Sequence, residues 1–282
     1  MPETGRSATS TSARVLNPSQ TNPRLRYEWD RGSEYELDTR LPVALEALIP
    51  EEELLHPDHR LFQIVHLITE YGWVALHHTL CDVDAALRAG RLPAAARSLE
   101  RATQLADIPV NCVRLMADTL PQAAFLRLRE RIPVSPSGLD SPGTRSLRKA
   151  GAAVWEAFDA AVRDHGLTLA QVALAAEPES PENSRAGDHA HLVDILLLLG
   201  RLDSRVMDWR QVHMTMIWKL LGGHPAAAHD SAGEDADRPM SMRGRPLANL
   251  ERLAVRPLFA ALWELSSEVY REMTGPSATG SY

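Results

Sequence analysis

The stretch HRLFQIVHLITEYGWVALHHTLCDV, residues 59–83, constrains the fold more than any other part of this chain. Its apolar residues recur three and four apart with no proline among them, which is the spacing of a helix. The N-cap is expected at or near Asp58, after Pro57. The helix is expected to run to about Ala89, with Gly90 as its stop. The stretch also holds four histidines, His59, His66, His77 and His78. At about 100° per residue, Phe62, His66, Glu70, Trp73 and His77 share a face with His59, and Ile64, Ile68, Ala75 and Leu76 lie opposite. The second face is read as burying aliphatic groups in protein. The first presents rings and one carboxylate to something else.

The remaining sequence repeats the helical signal. β-Branched residues are sparse beside Ala, Leu, Arg and Glu, a balance that favours helix over strand. LPVALEALIPEEELL reads as a short helix broken at Pro50. LPAAARSLERATQLADIPVNCVRLMADTL gives one or two helices, with Pro109 the candidate break, and QAAFLRLRERI gives another. PVSPSGLDSPGT, residues 133–144, is an ordered turn cluster with Arg145 at its exit. SLRKAGAAVWEAFDAAVRDHGLTLAQVALAA supplies one or two more helices. AHLVDILLLLGRLDSRVMDWRQVHMTMIWKLLGG is a long apolar helix ending at Gly222–Gly223, and LANLERLAVRPLFAALWELSSEVYREM is the last. With no internal repeat and no convincing strand run, the class is all-α. One helical domain is expected over residues 31–275. A Ser/Thr/Pro-rich arm over residues 1–30, without an apolar signal core, is expected to be disordered.

Composition bounds the partners. The net charge of −7 and the lack of a dominant basic patch speak against nucleic acid. No apolar run reaches the roughly 18–20 residues of a membrane span. Two cysteines, Cys81 and Cys112, cannot form a disulfide framework, and a cytoplasmic protein is expected.

The histidines admit several chemistries. Most histidines on a helix are surface groups or satisfied core residues, a reading that suits His56, His59 and His78. Zinc is poorly served, because His77-His78-x-x-Cys81 and the DHAH at 188–191 each lack a second Cys/His pair at ligand spacing. A large planar cofactor is a third reading. The long apolar helix embeds His213 among Trp209, Met216, Ile217 and Leu220, so two helices each present an embedded imidazole.

HPDHRLFQIVHLITE resembles the signature helix of tryptophan 2,3-dioxygenases, and DWRQVHMTMIWKLLGG resembles that family's proximal heme-ligand helix. The wider superfamily is the histidine-ligated heme-dependent aromatic oxygenases, all-helical proteins around heme b that include indole-oxidising relatives and bacterial heme-dependent tyrosine hydroxylases. Residue by residue, Phe62 and His66 match the active-site Phe and distal His, and Glu70 matches a Glu after that His. Ser137-Gly138 and Arg145 match a Ser-Gly turn followed by the arginine that binds the substrate carboxylate. Trp209-Arg210 and His213 match the Trp-Arg-x-x-His of the iron ligand, and Gly222 a glycine nine residues on. Tyr35 matches a tyrosine of the N-terminal segment that reaches toward the pocket, in relatives often from a neighbouring subunit. The resemblance covers about residues 35–265 and is dense only near these motifs.

One region departs from the family. Where tryptophan dioxygenases carry Gly-Thr-Gly-Gly-Ser-Ser-Gly, this chain reads GEDADRPMSMRGRP, which places Arg238 near the family's substrate-holding Thr, with Ser241 close by. That shifts the expectation from tryptophan ring cleavage toward a specialised branch.

The resemblance implies an enzyme of natural-product biosynthesis. His213 ligates the iron of heme b. Trp209, Ser137 and Gly138 line the heme, and Phe62, Tyr35, Ser241 and Arg145 hold an aromatic amino acid. His66 acts as the distal acid–base group toward dioxygen or hydrogen peroxide. Tyrosine 3-hydroxylation to a catechol is the first choice, and oxygenation of tryptophan or a methyltryptophan, as a 2,3-dioxygenase or to an oxindole, is the alternative. A homo-oligomer, dimer or tetramer, is also implied. His77 and Cys81 have the His-x-x-x-Cys spacing by which some relatives attach heme, but on the wrong helix, so no covalent link is expected. A heme-binding sensor without turnover and a cofactor-free helical interaction protein are the readings from other classes.

Overall fold

The computed structural model describes residues 14–29, 34–132, 138–177, 190–224 and 246–274, and over them the chain is predominantly α-helical. The contacts divide the chain into two units, residues 1–64 and 65–282, a boundary further along than the arm expected to end near residue 30.

In the first unit, residues 14–29 fall within the expected disordered arm yet form a minimal ribbon. Strand β1 (Arg14–Val15) pairs antiparallel with β2 (Glu28–Trp29), Arg14 opposite Trp29. Asn17 holds the connection. Its amide donates to the carbonyl of Leu25 and its carbonyl accepts from the amide of Tyr27, both at 3.0 Å. Two short helices follow, α1 (Glu34–Asp38) and α2 (Leu41–Glu46), with Pro50 heading a single 3-10 turn, Glu51–Glu53. Arg14 and Glu46 form an ion pair at 2.7 Å. Helix α3 (His59–Arg88) begins in this unit and continues into the second.

The second unit adds α4 (Leu92–Thr119), α5 (Gln122–Arg131), a 3-10 turn at Gly138–Asp140 and α6 (Pro142–Asp164). After these come α7 (Leu169–Leu174), α8 (Ala190–Leu221), α9 (Leu247–Ala254) and α10 (Ala260–Thr274). Gly90 stops α3 in the left-handed region, at φ 66°. The amides of Gly90 and Arg91 fold back onto the carbonyls of Leu87 and Ala86, both at 2.9 Å, which satisfies the open end of the helix.

The buried stripe of α3 runs through Trp73, Leu76, Leu80, Val83 and Leu87, between the two faces read from sequence. Ile68, expected to be buried, is therefore 42% exposed, whereas Leu76 is fully buried. Pro109 does not break α4, which continues through it. The proline ring lies against Gly72 of α3, where an added Cβ would stand 3.0 Å from its Cδ, so the missing side chain lets the two helices approach. The last expected helix is split into α9 and α10 around Pro257, which can donate no amide hydrogen. The carboxylate of Asp203, buried in α8, accepts from the amides of Leu258 (2.5 Å) and Phe259 (3.0 Å) and from the indole of Trp263 (2.8 Å).

A candidate cavity between α3 and α8

On α8, Leu192, Leu199, Val206, His213 and Leu220 stand seven residues apart, with Ile195, Leu202, Trp209 and Met216 between them, and all are buried. Steps of three and four of this kind make a single helix face, so His213 lies within the stripe that packs into the core. One turn earlier, the ring of Trp209 lies 5.4 Å from that of His213, and Trp73 of α3 meets Trp209 edge-on at 5.0 Å.

In front of this aromatic wall is a cavity of about 220 Å³. Helix α3 contributes Val65, His66, Thr69 and Glu70, and α4 contributes Val113 and Met116. Gly138, Ser141 and Pro142 form another wall, and Trp209, His213 and Met216 of α8 close it. His66 and His213, 147 positions apart in the chain, thus line one space.

Burial holds the His213 imidazole well below its ordinary range, to about 4, with His66 pushing the same way. The ring is neutral at pH 7 and retains a nitrogen lone pair. Its Nδ1 is buried without a partner. Its Nε2 faces Gly138, where an added Cβ would stand at 3.3 Å. Trp73 Nε1 is likewise buried without a partner. Buried polar atoms left unpaired cost about 1–3 kcal/mol each.

The wall opposite His213 is tied to α3. Ser141 caps α6 by accepting from the Thr144 amide at 3.3 Å, with Pro142 at the first helical position. The Gly143 amide donates to Glu70 Oε2 at 3.0 Å. The approach is so close that an added Cβ on Gly143 would lie 2.5 Å from Trp73 Cβ and 2.8 Å from Glu70 Oε2.

The residues singled out from sequence fall in different places. His66, Glu70, Gly138, Trp209, His213 and Met216 line the cavity together. Arg145 does not line it. It is exposed on the first turn of α6, three residues beyond Pro142 and so on the same helix face as that lining residue. Phe62, half-buried in the first turns of α3, and Tyr35, 71% exposed in α1, belong to the first unit. Ser137 and Ser241 lie outside the described residues, as does Arg238. Arg210 is buried, its Nη1 unpartnered. Burial lowers its guanidinium to about 10 against the pull of Asp203, and Arg148 and Arg256 add to the lowering. Cys81 is exposed, with its Sγ 3.8 Å from His77 Nε2, and neither residue lines the cavity. Sequence reasoning missed Val65, Thr69, Val113, Met116, Ser141 and Pro142. Val113 and Met116 stand on the buried face of α4, a signal that marks core and cavity wall alike.

Among the described residues no group of three or more His, Cys, Asp or Glu is placed to hold a metal ion. No helix among the described residues is long and apolar enough to cross a membrane. No protein-family profile matches this chain and no curated protein matches it.

Proposed function

We propose that this chain is a heme-dependent aromatic amino acid oxygenase with a tryptophan 2,3-dioxygenase-like helical fold, and that it hydroxylates tyrosine at the 3-position to a catechol. The observation that supports this best is the pairing of His66 and His213 in one apolar cavity, with His213 buried, neutral and unpartnered at Nδ1. The donor chemistry fits a heme: one neutral imidazole for the iron, an indole tilted beside it and a glycine facing its Nε2. A porphyrin needs more room than about 220 Å³, so holding one requires the Gly138–Ser141 wall to stand further from His213.

Bound heme supplies the oxidising power toward dioxygen or hydrogen peroxide. The rest falls to the chain's own residues. Val65, Val113, Met116 and Met216 give the space beside the ring an apolar lining. His66, on the opposing helix, is the acid–base group that faces the substrate. Arg145, one turn beyond the cavity wall, is the fork for the substrate carboxylate, and its planar guanidinium fixes angle as well as position.

A visible spectrum of the purified protein tests the cofactor. A Soret band is expected in the wild type and its loss or a strong shift in His213→Ala, whereas an unchanged spectrum in the variant overturns the ligand assignment. The mass of the product from tyrosine tests the reaction. Gain of one oxygen atom supports hydroxylation. Gain of two on tryptophan, with no product from tyrosine, returns the chain to the ring-cleaving dioxygenases.

A further inference from the structure

We propose that Glu70 anchors the ammonium group of the substrate, so that the cavity selects aromatic ligands bearing a primary amine. This rests on the oxygenase reading above, with the aromatic amino acid held at the His66 and Glu70 side of the cavity, and adds a specificity-determining residue to it.

Among the described lining residues Glu70 is the one carboxylate, and neither Lys nor Arg stands among them. The walls around it are mostly apolar, with Val65, Val113, Met116 and Met216 on three elements. The other titratable groups among the described lining residues are the imidazoles of His66 and His213. A carboxylate in such surroundings interacts more strongly with a cation than it does in water, and no cationic side chain stands among the described lining residues.

The side chain is held at one end and open at the other. Oε2 accepts the Gly143 amide at 3.0 Å, which fixes the carboxylate against the first turn of α6. Oε1 accepts no hydrogen bond from the described residues. Glu70 stands one helical turn after His66, on the same face of α3, so an amine held by Oε1 places its attached ring within reach of the His66 imidazole. Arg145 lies two positions after Gly143 on the element that Glu70 holds, which puts a cation for the carboxylate and an anion for the amine on one continuous piece of structure. The two α-substituents of an amino acid are then read by different helices, Glu70 on α3 and Arg145 on α6.

Glu70→Gln tests this with little disturbance, because the amide oxygen still accepts from Gly143 while the charge is gone. Calorimetric binding to the purified protein is measured for tyrosine, tyramine and 3-(4-hydroxyphenyl)propionate, and for tryptophan, tryptamine and indole-3-propionate. Removing a charged hydrogen-bond partner is expected to weaken the amine-bearing ligands about 10–100-fold. The desamino acids are expected to bind the variant as they bind the wild type. Equal weakening of all ligands, or no weakening of any, overturns the assignment of Glu70 and leaves the site reading intact. Failure of the wild type to bind any of the six overturns the site reading and the assignment with it.

Discussion

Replacing Gly143 by Ala adds one methyl group where three atoms already stand. The new Cβ would lie 2.5 Å from Trp73 Cβ, 2.9 Å from Trp73 Cδ1 and 2.8 Å from Glu70 Oε2. Trp73 Cβ is bonded directly to the backbone of α3, and its side chain is wholly buried, so neither can yield. The first turn of α6 has to retreat instead, which lengthens the 3.0 Å bond from the Gly143 amide to Glu70. Overpacking of this kind costs about 1–3 kcal/mol. A weakened hydrogen bond to a charged group adds up to about 1.5–3 kcal/mol. Alanine returns roughly 0.5–1 kcal/mol by its greater helix propensity. The net expectation is a loss of about 2–5 kcal/mol, read by urea unfolding with a shared slope. Gly200→Ala is the control. Its nearest neighbour, Leu262 Cδ2, stands 3.8 Å away, an ordinary contact, so a neutral change or a gain of up to about 1 kcal/mol is expected. A Gly143→Ala protein within about 0.5 kcal/mol of wild type, below the size of a typical destabilising substitution, refutes the close approach of α3 and α6.

Three further perturbations follow from the same structure. Asp203→Ala strands the amides of Leu258 and Phe259 and the Trp263 indole, and is expected to cost about 3–5 kcal/mol in urea unfolding, with faster hydrogen exchange at the start of α10. In heme-free protein, His213 gives stability a pH dependence of definite sign. Its folded value of about 4 lies below the ordinary 6.5, so the unfolded chain binds the proton first and stability falls as pH drops from 6.5 toward 4. The fall is on the order of 3 kcal/mol, it is absent above pH 6.5, and subtracting the His213→Phe curve isolates it. Arg145→Ala is expected to raise the KM for tyrosine by an amount equivalent to about 2–4 kcal/mol, with only partial rescue by Lys, and steady-state kinetics check it.

What sequence could supply depended on whether the signal was local. The all-α class and the ends of α3 and α8 follow from periodicity and from glycines at fixed offsets, and Gly90, Gly222 and Gly223 all have positive φ. His213 was legible as a buried group because it falls on a seven-residue apolar stripe, with Val206 two turns before it and Leu220 two turns after. The faces of α3 were harder. Periodicity fixes which residues share a side, but the side that packs is chosen by its neighbours. Trp73 meets Trp209, and Gly72 meets Pro109, so the buried stripe turned away from Ile68. The same limit applies to Pro109, whose fate depended on a glycine 37 positions earlier, and to the break between α9 and α10, which depends on Asp203. Glu70 shows the limit most sharply. Its place on the ring-bearing face was visible in the sequence, but its bond to Gly143 joins residues 73 apart. That bond is what turns a carboxylate on a helix into the support of a wall facing His213. The local pattern around Gly143, Ser-Pro-Gly-Thr, reads as a helix start. Only the approach of α3 adds the further demand that the third residue of that start carry no side chain.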